Sequence, residues 1–279
     1  MSGWTRLGAG IALSGAAAGA GYRRRALSPS GAAASVVVGT TIHGCGGLES
    51  SAVVVAFFGV SSALSGMGRA RKTALTDVAA KGSRRDAGQV LANGGVSAAL
   101  ALLGGTLSTT DRVLPAFLGS LAAVTGDTWS TELGALSDRA PRSILSGRTV
   151  LPGASGGVTA LGFGAALAGG VAVGLIAALA RRAEPRVAAR LTGLGAGCGL
   201  LGSVVDSLLG ATVQRLYRCP RCGVETELTV HRCGTATVPV RGIPRVDNDV
   251  VNLLASLVGA VAGELLGAAT RDKAGCGPP

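Results

Sequence analysis

The apolar run Ala116-Phe-Leu-Gly-Ser-Leu-Ala-Ala-Val124 leads almost directly into Gly126-Asp-Thr-Trp-Ser-Thr-Glu-Leu-Gly134. This junction places Asp127 and Glu132 where hydrocarbon would meet water. Carboxylates are costly in a bilayer and are usually kept there for ions, protons or substrates. Gly126 would let a ligand or a second helix approach the backbone closely. The alternative is an ordinary helix end, with Asp127 or Thr128 as the N-cap of a short surface helix.

The composition of the whole chain indicates a membrane protein. Of its 279 residues, 48% are hydrophobic and only 15% are charged, whereas soluble domains carry about 25% charged residues. The 46 glycines show no three-residue period, which excludes collagen, and they suit close helix packing in lipid. The net charge is +11, but the basic residues lie between apolar segments rather than along one helix face. Nucleic acid is therefore not an expected partner.

Eight apolar segments predict an all-α, polytopic integral membrane protein with six to eight spanning helices. The segments cover residues 7–21, 31–42, 51–66, 90–107, 113–125, 157–180, 191–212 and 250–269. The second, third and fifth are shorter than the ~20 residues of a perpendicular span, which favours tilted or re-entrant helices there. The first could be a signal peptide, but the basic residues 23–25 directly after it favour a retained helix. We expect residues 1–279 to form a single membrane domain, with a cytoplasmic loop insert at residues 214–246.

The distribution of basic residues predicts the orientation. The loops after segments one, three, five and seven hold 18 of the 26 lysines and arginines. The positive-inside rule places these loops in the cytoplasm and both termini outside, in the cell membrane if the source is prokaryotic. The basic cluster at residues 181–190 fits this orientation poorly. The polar motifs described next all fall on or near the predicted cytoplasmic side.

The first motif is Lys81-Gly-Ser-Arg-Arg-Asp-Ala-Gly-Gln-Val-Leu-Ala-Asn-Gly-Gly95. Three cations, Lys81, Arg84 and Arg85, precede an apolar segment that carries Gln89 and Asn93 four residues apart, hence on one helix face. Cations beside a helix start can hold phosphate, and asparagine can add a hydrogen bond or a metal ligand. The alternative is charge that sets topology, together with polar hydrogen bonds between helices.

A glycine-rich loop runs from residue 141 to residue 157 and enters the sixth segment. Its amides could converge on an anion at a helix N-terminus, with two arginines nearby. No Gly-Lys-Ser/Thr closes the loop, so it is not a Walker P-loop, and glycine-rich loops are also common without a bound anion. The candidate phosphate-binding residues of this loop are Arg142, Arg148, Gly153, Ser155, Gly156 and Gly157.

Further acids follow at the ends of the last two segments. Asp206 lies near the cytoplasmic end of segment seven, where an unpartnered carboxylate would be penalised. Asp247 and Asp249 precede segment eight, in which Asn252 is a further candidate. Asp249 could instead be a simple N-cap. Acids on one side, opposite basic loops, form the pattern of a magnesium-dependent phosphoryl-transfer site, in which Asp127 and Asp206 would bind the metal.

The clearest local motif is of another kind. Cys219-Pro-Arg-Cys222-Gly and His231-Arg-Cys233-Gly supply the three thiolates and one imidazole of a tetrahedral zinc site. Four protein ligands close the coordination shell, which predicts a structural rather than a catalytic metal in a small zinc-knuckle-like loop. A disulfide is the alternative, and a cytoplasmic position disfavours it.

Taken together, the motifs KGSRRDAGQVLANGG, GDTWSTELG, PRSILSGRTVLPGASGGVTALG, GLLGSVVDSLLGATVQ and DNDVVNLLASLVGA resemble an integral-membrane family. That family contains transmembrane protein 19 and the plant phytyl-phosphate kinase. The resemblance covers about residues 30–270, and the cysteine-rich insert is similar to the prokaryotic branch. More distantly, the order of the motifs is similar to that of CTP-dependent polyprenol kinases and CDP-diacylglycerol synthases.

The resemblance implies a kinase that transfers the γ-phosphate of CTP or ATP to a membrane-embedded isoprenyl monophosphate. Mg²⁺ would be the cofactor, and the catalytic residues would be Asp127, Glu132, Asp206, Asp247 and Asp249. A phosphate nucleophile is already ionised, so such a reaction needs no strong general base. The alternatives are a lipid or ion carrier, in which the acids would be translocation ligands, and a non-catalytic membrane scaffold.

Overall fold

The computed structural model describes residues 3–67 and 84–275, except for the side chains of Gly3 and residues 270–275. Within these residues the chain forms seven helices: α1 (Gly3–Arg23), α2 (Pro29–Gly66), α3 (Ala87–Thr106), α4 (Thr110–Gly134), α5 (Ala160–Ala180), α6 (Pro185–Thr212) and α7 (Asn248–Gly275). Five of them, α2, α3, α5, α6 and α7, are long and apolar enough to cross a membrane. The predicted all-α polytopic membrane fold is confirmed.

Helix α2 is broken at Gly47, and its two arms correspond to the second and third predicted segments. Gly47 has a φ of 75° and a ψ of −167°, outside the helical region. Leu27, just before the first arm, forms a backbone bridge with Arg85, and Ser65 at the end of the second arm bonds to Glu132, the electrostatic neighbour of Arg85. The two ends of α2 therefore meet on one side of the protein, and the chain reverses direction at the break. All eight predicted apolar segments thus lie mainly on helices, although the sixth begins three residues before α5.

Helix α4 is the central element of the fold. Its residues from Ala116 to Gly126 are all buried, and the helix packs against α3, α5, α6 and α7. Glycines make the closest approaches: an added Cβ at Gly126 would collide with the carbonyl oxygen of Gly199 on α6, and one at Gly119 would collide with that of Gly259 on α7. Small residues at such positions allow helices to pack closely in lipid, where no hydrophobic driving force brings them together.

Polar contacts reinforce this helix packing at two levels. Inside the bundle the hydroxyl of Ser120 on α4 lies 3.0 Å from that of Ser97 on α3 and 2.8 Å from that of Ser256 on α7. At one end, Arg181 after α5 pairs with Glu49 at 3.1 Å and with Asp111 at 2.7 Å. Arg181 therefore forms ion pairs within the protein. This explains in part why the basic cluster at residues 181–190 fits the positive-inside rule poorly.

In the described parts of the chain, five short strands lie at the opposite end of the bundle, which we call the loop side. Strands β1 (Arg142–Ser143) and β2 (Gly157–Val158) form an antiparallel pair between α4 and α5. Strands β3 (Leu216–Arg218), β4 (Glu225–Thr226) and β5 (Val238–Arg241) form a three-stranded sheet in the order β4-β3-β5. This sheet lies within the predicted loop insert between α6 and α7. The loop side thus carries the connections α1–α2, α4–α5 and α6–α7.

Candidate functional site

Two helix-borne carboxyl groups form the centre of a polar cavity on the loop side. Asp127 on α4 and Asp206 on α6 lie within hydrogen-bonding reach of each other. They meet above the point where Gly126 and Gly199 bring the two helices into backbone contact, one residue before Asp127 and about two turns before Asp206. The Oδ1 atom of Asp206 is buried and has no hydrogen-bond partner among the described residues. Two adjacent carboxylates repel unless a cation or a proton lies between them, so this pair suits a hard divalent cation.

The loop insert contributes a third acid that the sequence did not reveal. Glu227, just after β4, interacts electrostatically with Asp206 and accepts a hydrogen bond of 2.6 Å from Gln214 at the base of the insert. Gln214 is itself buried. Glu227 was missed because it lies among the cysteines of the insert, and only the folding of that insert brings it to the membrane acids.

The glycine-rich segment forms a hairpin that closes over the end of α6. Strands β1 and β2 pair Arg142 with Val158 and Ser143 with Gly157, and Gly153 and Gly156 adopt φ values of 86° and 80°. An added Cβ at Gly156 would collide with Ala211 of α6. Such left-handed positions strongly favour glycine. Among the described residues, the amides of Ser155 and Gly156 donate to no backbone carbonyl, whereas that of Gly157 bonds to Ala154 at 2.9 Å.

Asp247 and Asp249, at the start of α7, lie at the edge of the same cavity and have different structural roles. Asp247 is the cap of α7, since its Oδ1 accepts a hydrogen bond of 3.1 Å from the amide of Val250. Asp249, for which an N-cap role was the alternative, instead lies half-buried in the first turn of the helix. Both residues line the cavity. Asn252, one turn further along, does not.

These elements enclose a cavity of about 1230 Å³, open to the loop side. Three arginines that we had assigned only to topology or to the loop insert line it: Arg139, Arg215 and Arg245. Arg245 has a φ of 70°, an uncommon conformation that is enriched at functional sites. Predicted site residues that line the cavity are Gln89, Asp127, Gly153, Ser155, Gly156, Gly157, Asp206, Asp247 and Asp249.

The structure places other predicted site residues outside this cavity. Glu132 is five residues from Asp127, which turns it to a different face of α4, where it accepts a hydrogen bond from Ser65. Arg84 donates to the carbonyl of Leu27 at 3.0 Å and stacks on Tyr22. Arg142 and Arg148 are exposed on the hairpin, where Arg142 bonds to the carbonyl of Gly147. Predicted residues that do not line the cavity are Arg84, Arg85, Asn93, Glu132, Arg142, Arg148 and Asn252, and Lys81 lies outside the described residues.

A second cluster lies in the loop insert. The donor atoms of Cys219, Cys222, His231 and Cys233 all lie within 4.8 Å of one another. The sulfurs of Cys219 and Cys233 are 3.6 Å apart, and Nδ1 of His231 is 3.1 Å from the Cys233 sulfur. Tetrahedral zinc with Zn–S bonds of about 2.3 Å holds two sulfurs ~3.8 Å apart, so the donor set and its spacing fit zinc.

The backbone around this cluster has the form of a metal knuckle. The amide of Cys222 donates to the Cys219 sulfur at 3.4 Å, and Gly223 and Gly234 turn the chain with φ values of 70° and 81°. Hydrogen bonds with Thr235, and then with His231, lower the pKa of Cys233 to about 5, whereas the hydrogen bond with Cys233 raises the pKa of Cys222 to about 11. The two shifts oppose each other, so the fit to zinc rests on the donor set and its spacing.

Comparison with known proteins places these features in a family context. The family model described as "Integral membrane protein DUF92" matches residues 12–260. Protein PGR of Arabidopsis thaliana is 37% identical over 167 residues, which are 55% of this chain and 58% of that protein. An uncharacterized membrane protein of Methanocaldococcus jannaschii is 37% identical over 86 residues, which are 31% of this chain and 35% of that protein. The matched regions therefore span less than two thirds of either relative. No solved structure matches the chain.

Proposed function

Because the chain belongs to the DUF92 family of integral membrane proteins, we propose that its polar cavity transfers the γ-phosphate of CTP or ATP to an isoprenyl monophosphate. The observation that carries the proposal is the contact between Asp127 and Asp206, with Glu227 beside them, in a cavity that also holds three arginines. Acids that bind Mg²⁺ and cations that bind phosphate are the two parts that phosphoryl transfer requires. The resemblance to the plant phytyl-phosphate kinase supports the substrate class.

The carboxyl groups of Asp127 and Asp206, joined by Glu227, would hold Mg²⁺. The ion would neutralise charge on the phosphate oxygens in the transition state. The buried Oδ1 atom of Asp206 has no hydrogen-bond partner in the part of the chain that the structure describes. This supports the assignment, because a buried carboxylate oxygen requires a cation or a donor. Asp249, half-buried in the same wall, adds a further acidic group at the cavity edge.

The remaining residues bind and orient the two phosphate chains. The hairpin amides of Ser155 and Gly156 and the side chains of Arg139, Arg215 and Arg245 provide donors around the cavity. An oxygen of the isoprenyl phosphate would attack the γ-phosphorus while the bond to the β-phosphate oxygen breaks, which gives isoprenyl diphosphate and a nucleoside diphosphate. Since the attacking oxygen is already ionised, the residues of the chain act by positioning and charge.

We assign a structural role to zinc in the loop insert, held by Cys219, Cys222, His231 and Cys233. Four protein ligands leave no open position for a substrate. The insert is where β4 presents Glu227 to Asp206, so a bound zinc would stabilise one wall of the cavity. The proposed orientation, with the cavity in the cytoplasm, follows from the basic loops and gives the site access to nucleotides.

Purified protein in detergent or liposomes, incubated with γ-labelled CTP or ATP, Mg²⁺ and isoprenyl monophosphates of several chain lengths, tests the proposal. We expect label in an isoprenyl diphosphate with at least one nucleotide, formed roughly 10²–10³-fold more slowly by Asp127→Asn at matched protein amounts. Absence of transfer with every nucleotide and lipid, from protein shown to be folded, would contradict it. Movement of the same lipids between liposome leaflets without phosphorylation would support the carrier alternative.

A further inference from the structure

A second, apolar cavity of about 470 Å³ lies between α1, the two arms of α2, and α3. Its walls are mostly apolar, and they include Val38, Ile42, Phe57 and Phe58. The volume lies within the range of about 300–1,000 Å³ of small-molecule pockets. The polar site described above uses none of these apolar residues.

The two ends of this cavity differ in chemistry. One end, on the loop side, is lined by Arg24, Arg85, Gln89 and Asn93, and the other is lined by His43 and Ser51 near the break at Gly47. Burial lowers the pKa of Arg85, and the charge of Glu132 opposes that shift. The second arm of α2 lines the cavity from Ser51 to Ala63, a length of about 18 Å at 1.5 Å per residue. A ligand that fits would be long and apolar, with an anionic group at one end.

Gln89 connects this cavity to the polar site. Its side chain lines both cavities. A capping box holds it in place, because the amide of Asp86 donates to Oε1 of Gln89 at 3.2 Å and the amide of Gln89 donates to Oδ1 of Asp86 at 3.0 Å. The apolar cavity therefore begins where the polar cavity ends, on the loop side of α3.

We infer that the apolar cavity binds the hydrocarbon chain of the lipid monophosphate whose head group enters the polar cavity. The inference rests on the proposed function for the identity of the head group. The continuity through Gln89 and the cations Arg24 and Arg85 at the shared end argue for an anionic lipid. The far end, lined by His43 and Ser51, would set the length of chain that fits inside the cavity.

At this far end, the Ser51 hydroxyl and the His43 imidazole contact each other. Nδ1 of His43 lies 2.8 Å from the hydroxyl of Ser51, and that hydroxyl donates to the carbonyl of Gly47 at 2.7 Å. This bond stabilises the break in α2, so the cavity depth is a property of the fold. An isoprenyl chain longer than the cavity would have to leave between the helices.

Photolabelling without nucleotide tests the inference separately from the kinase reaction. The probe is farnesyl-length isoprenyl monophosphate with a diazirine at the far end of the chain, and mass spectrometry maps the labelled peptide. We expect labelling within residues 38–58, competed by unlabelled isoprenyl monophosphate and not by the corresponding alcohol. Labelling on α5 to α7, or labelling that phosphatidic acid removes and isoprenyl monophosphate does not, would overturn it.

Cavity-filling variants give a matched control. Gly59 lines the cavity, and an added Cβ there meets no described atom within 4 Å, so Gly59→Phe should fold and reduce probe labelling at least fivefold. Gly164 on α5 is equally free of neighbours within 4 Å and lies outside the cavity, so Gly164→Phe should leave labelling unchanged. Equal labelling of both variants and the unmodified protein would also overturn the inference. Labelling in the expected place by protein that transfers no phosphate would instead remove only the kinase proposal.

Discussion

The helices α4 to α7 pack differently from α1 to α3, and each group encloses a different kind of cavity. Around α4, glycine faces bring backbones into contact, as at Gly119 against Gly259 and Gly170 against Gly195. In the other half, most close neighbours of the glycines are side chains, such as Leu27 beside Gly21, Ser14 beside Gly39 and Val38 beside Gly94, and no described atom lies within 4 Å of an added Cβ at Gly59. Helices α4 to α7 thus hold carboxyl groups in fixed positions, whereas helices α1 to α3 leave an apolar cavity between them.

This difference follows from what each ligand part requires. Catalytic groups need placement within a fraction of an ångström, which close-packed helices with small residues provide. A hydrocarbon chain needs only apolar volume and offers little directional chemistry. The contrast between the two halves therefore separates head-group chemistry from chain binding, and the following predictions test the two separately.

The largest effect is expected at the acid pair. Asp127→Asn keeps the size of the side chain and removes its charge, so turnover should fall by ~10²–10³, the scale for loss of one electrostatic stabiliser. Asp111→Asn is a matched control, because Asp111 starts the same helix on the far side and pairs with Arg181 there. Steady-state kinetics of both variants with saturating nucleotide make the comparison. Equal losses of turnover in the two variants would contradict a catalytic role confined to the loop-side end of α4.

The next effect concerns packing rather than turnover. Gly126→Ala places a methyl group against the Gly199 backbone, which should lower the free energy of unfolding by about 1–3 kcal/mol. That corresponds to a fall of roughly 2–10 °C in Tm for a protein of this size. Gly164→Ala, in open space on α5, should leave Tm unchanged or raise it slightly. Thermal unfolding followed by circular dichroism in detergent measures both, and a control that unfolds as early as Gly126→Ala would contradict the packing argument.

A smaller effect on turnover is expected from the loop insert. Purified protein should contain about one equivalent of zinc, and Cys222→Ser should lose it. Turnover should then fall by roughly tenfold, because Glu227 and Gln214 would no longer be held in place, whereas Asp127 and Asp206 remain on their helices. Loss of supporting contacts at a metal site typically costs about 10–100-fold. Photolabelling of the apolar cavity should not change. Metal analysis that finds no zinc in folded protein with unreacted thiols would contradict the assignment.

The orientation of the two halves in the membrane can be measured without any effect on activity. Ser146 at the tip of the hairpin and Glu184 between α5 and α6 are both exposed and lie at opposite ends of the bundle. In intact cells a membrane-impermeant thiol reagent should label Glu184→Cys above the level of the parent protein, and Ser146→Cys only after permeabilisation. The reverse pattern would place the polar cavity outside.

Much of the fold could be predicted from local sequence, because apolar segments report burial in lipid directly. The break in α2 was foreseen as two separate short segments, and the family resemblance was confirmed by the match over residues 12–260. The candidate acids on the loop side were also visible, since a carboxylate at the end of an apolar run is conspicuous. The contact between Asp127 and Asp206 required the structure.

Long-range contacts account for what the sequence did not show. Glu227 lies in a loop that the sequence linked only to zinc binding, because of its cysteines. The role of Glu227 depends on how the insert folds back onto α6. Glu132 was grouped with Asp127 by proximity along the chain, but five residues of helix rotate it towards Ser65. Arg139, Arg215 and Arg245 had been counted for topology or within the insert alone, and their position around the cavity was not encoded in any local pattern.

The central claim is that Asp127 and Asp206 act as one metal-binding unit. The most direct test is a double-mutant cycle on turnover with Asp127→Asn, Asp206→Asn and the combined variant, at several Mg²⁺ concentrations. If the two carboxylates hold one ion, the double variant should lose little more activity than the worse single variant, since residues that act as a unit are non-additive. Each single variant should also need more Mg²⁺ for half-maximal turnover. Losses that multiply, with no change in the Mg²⁺ requirement, would contradict the shared site.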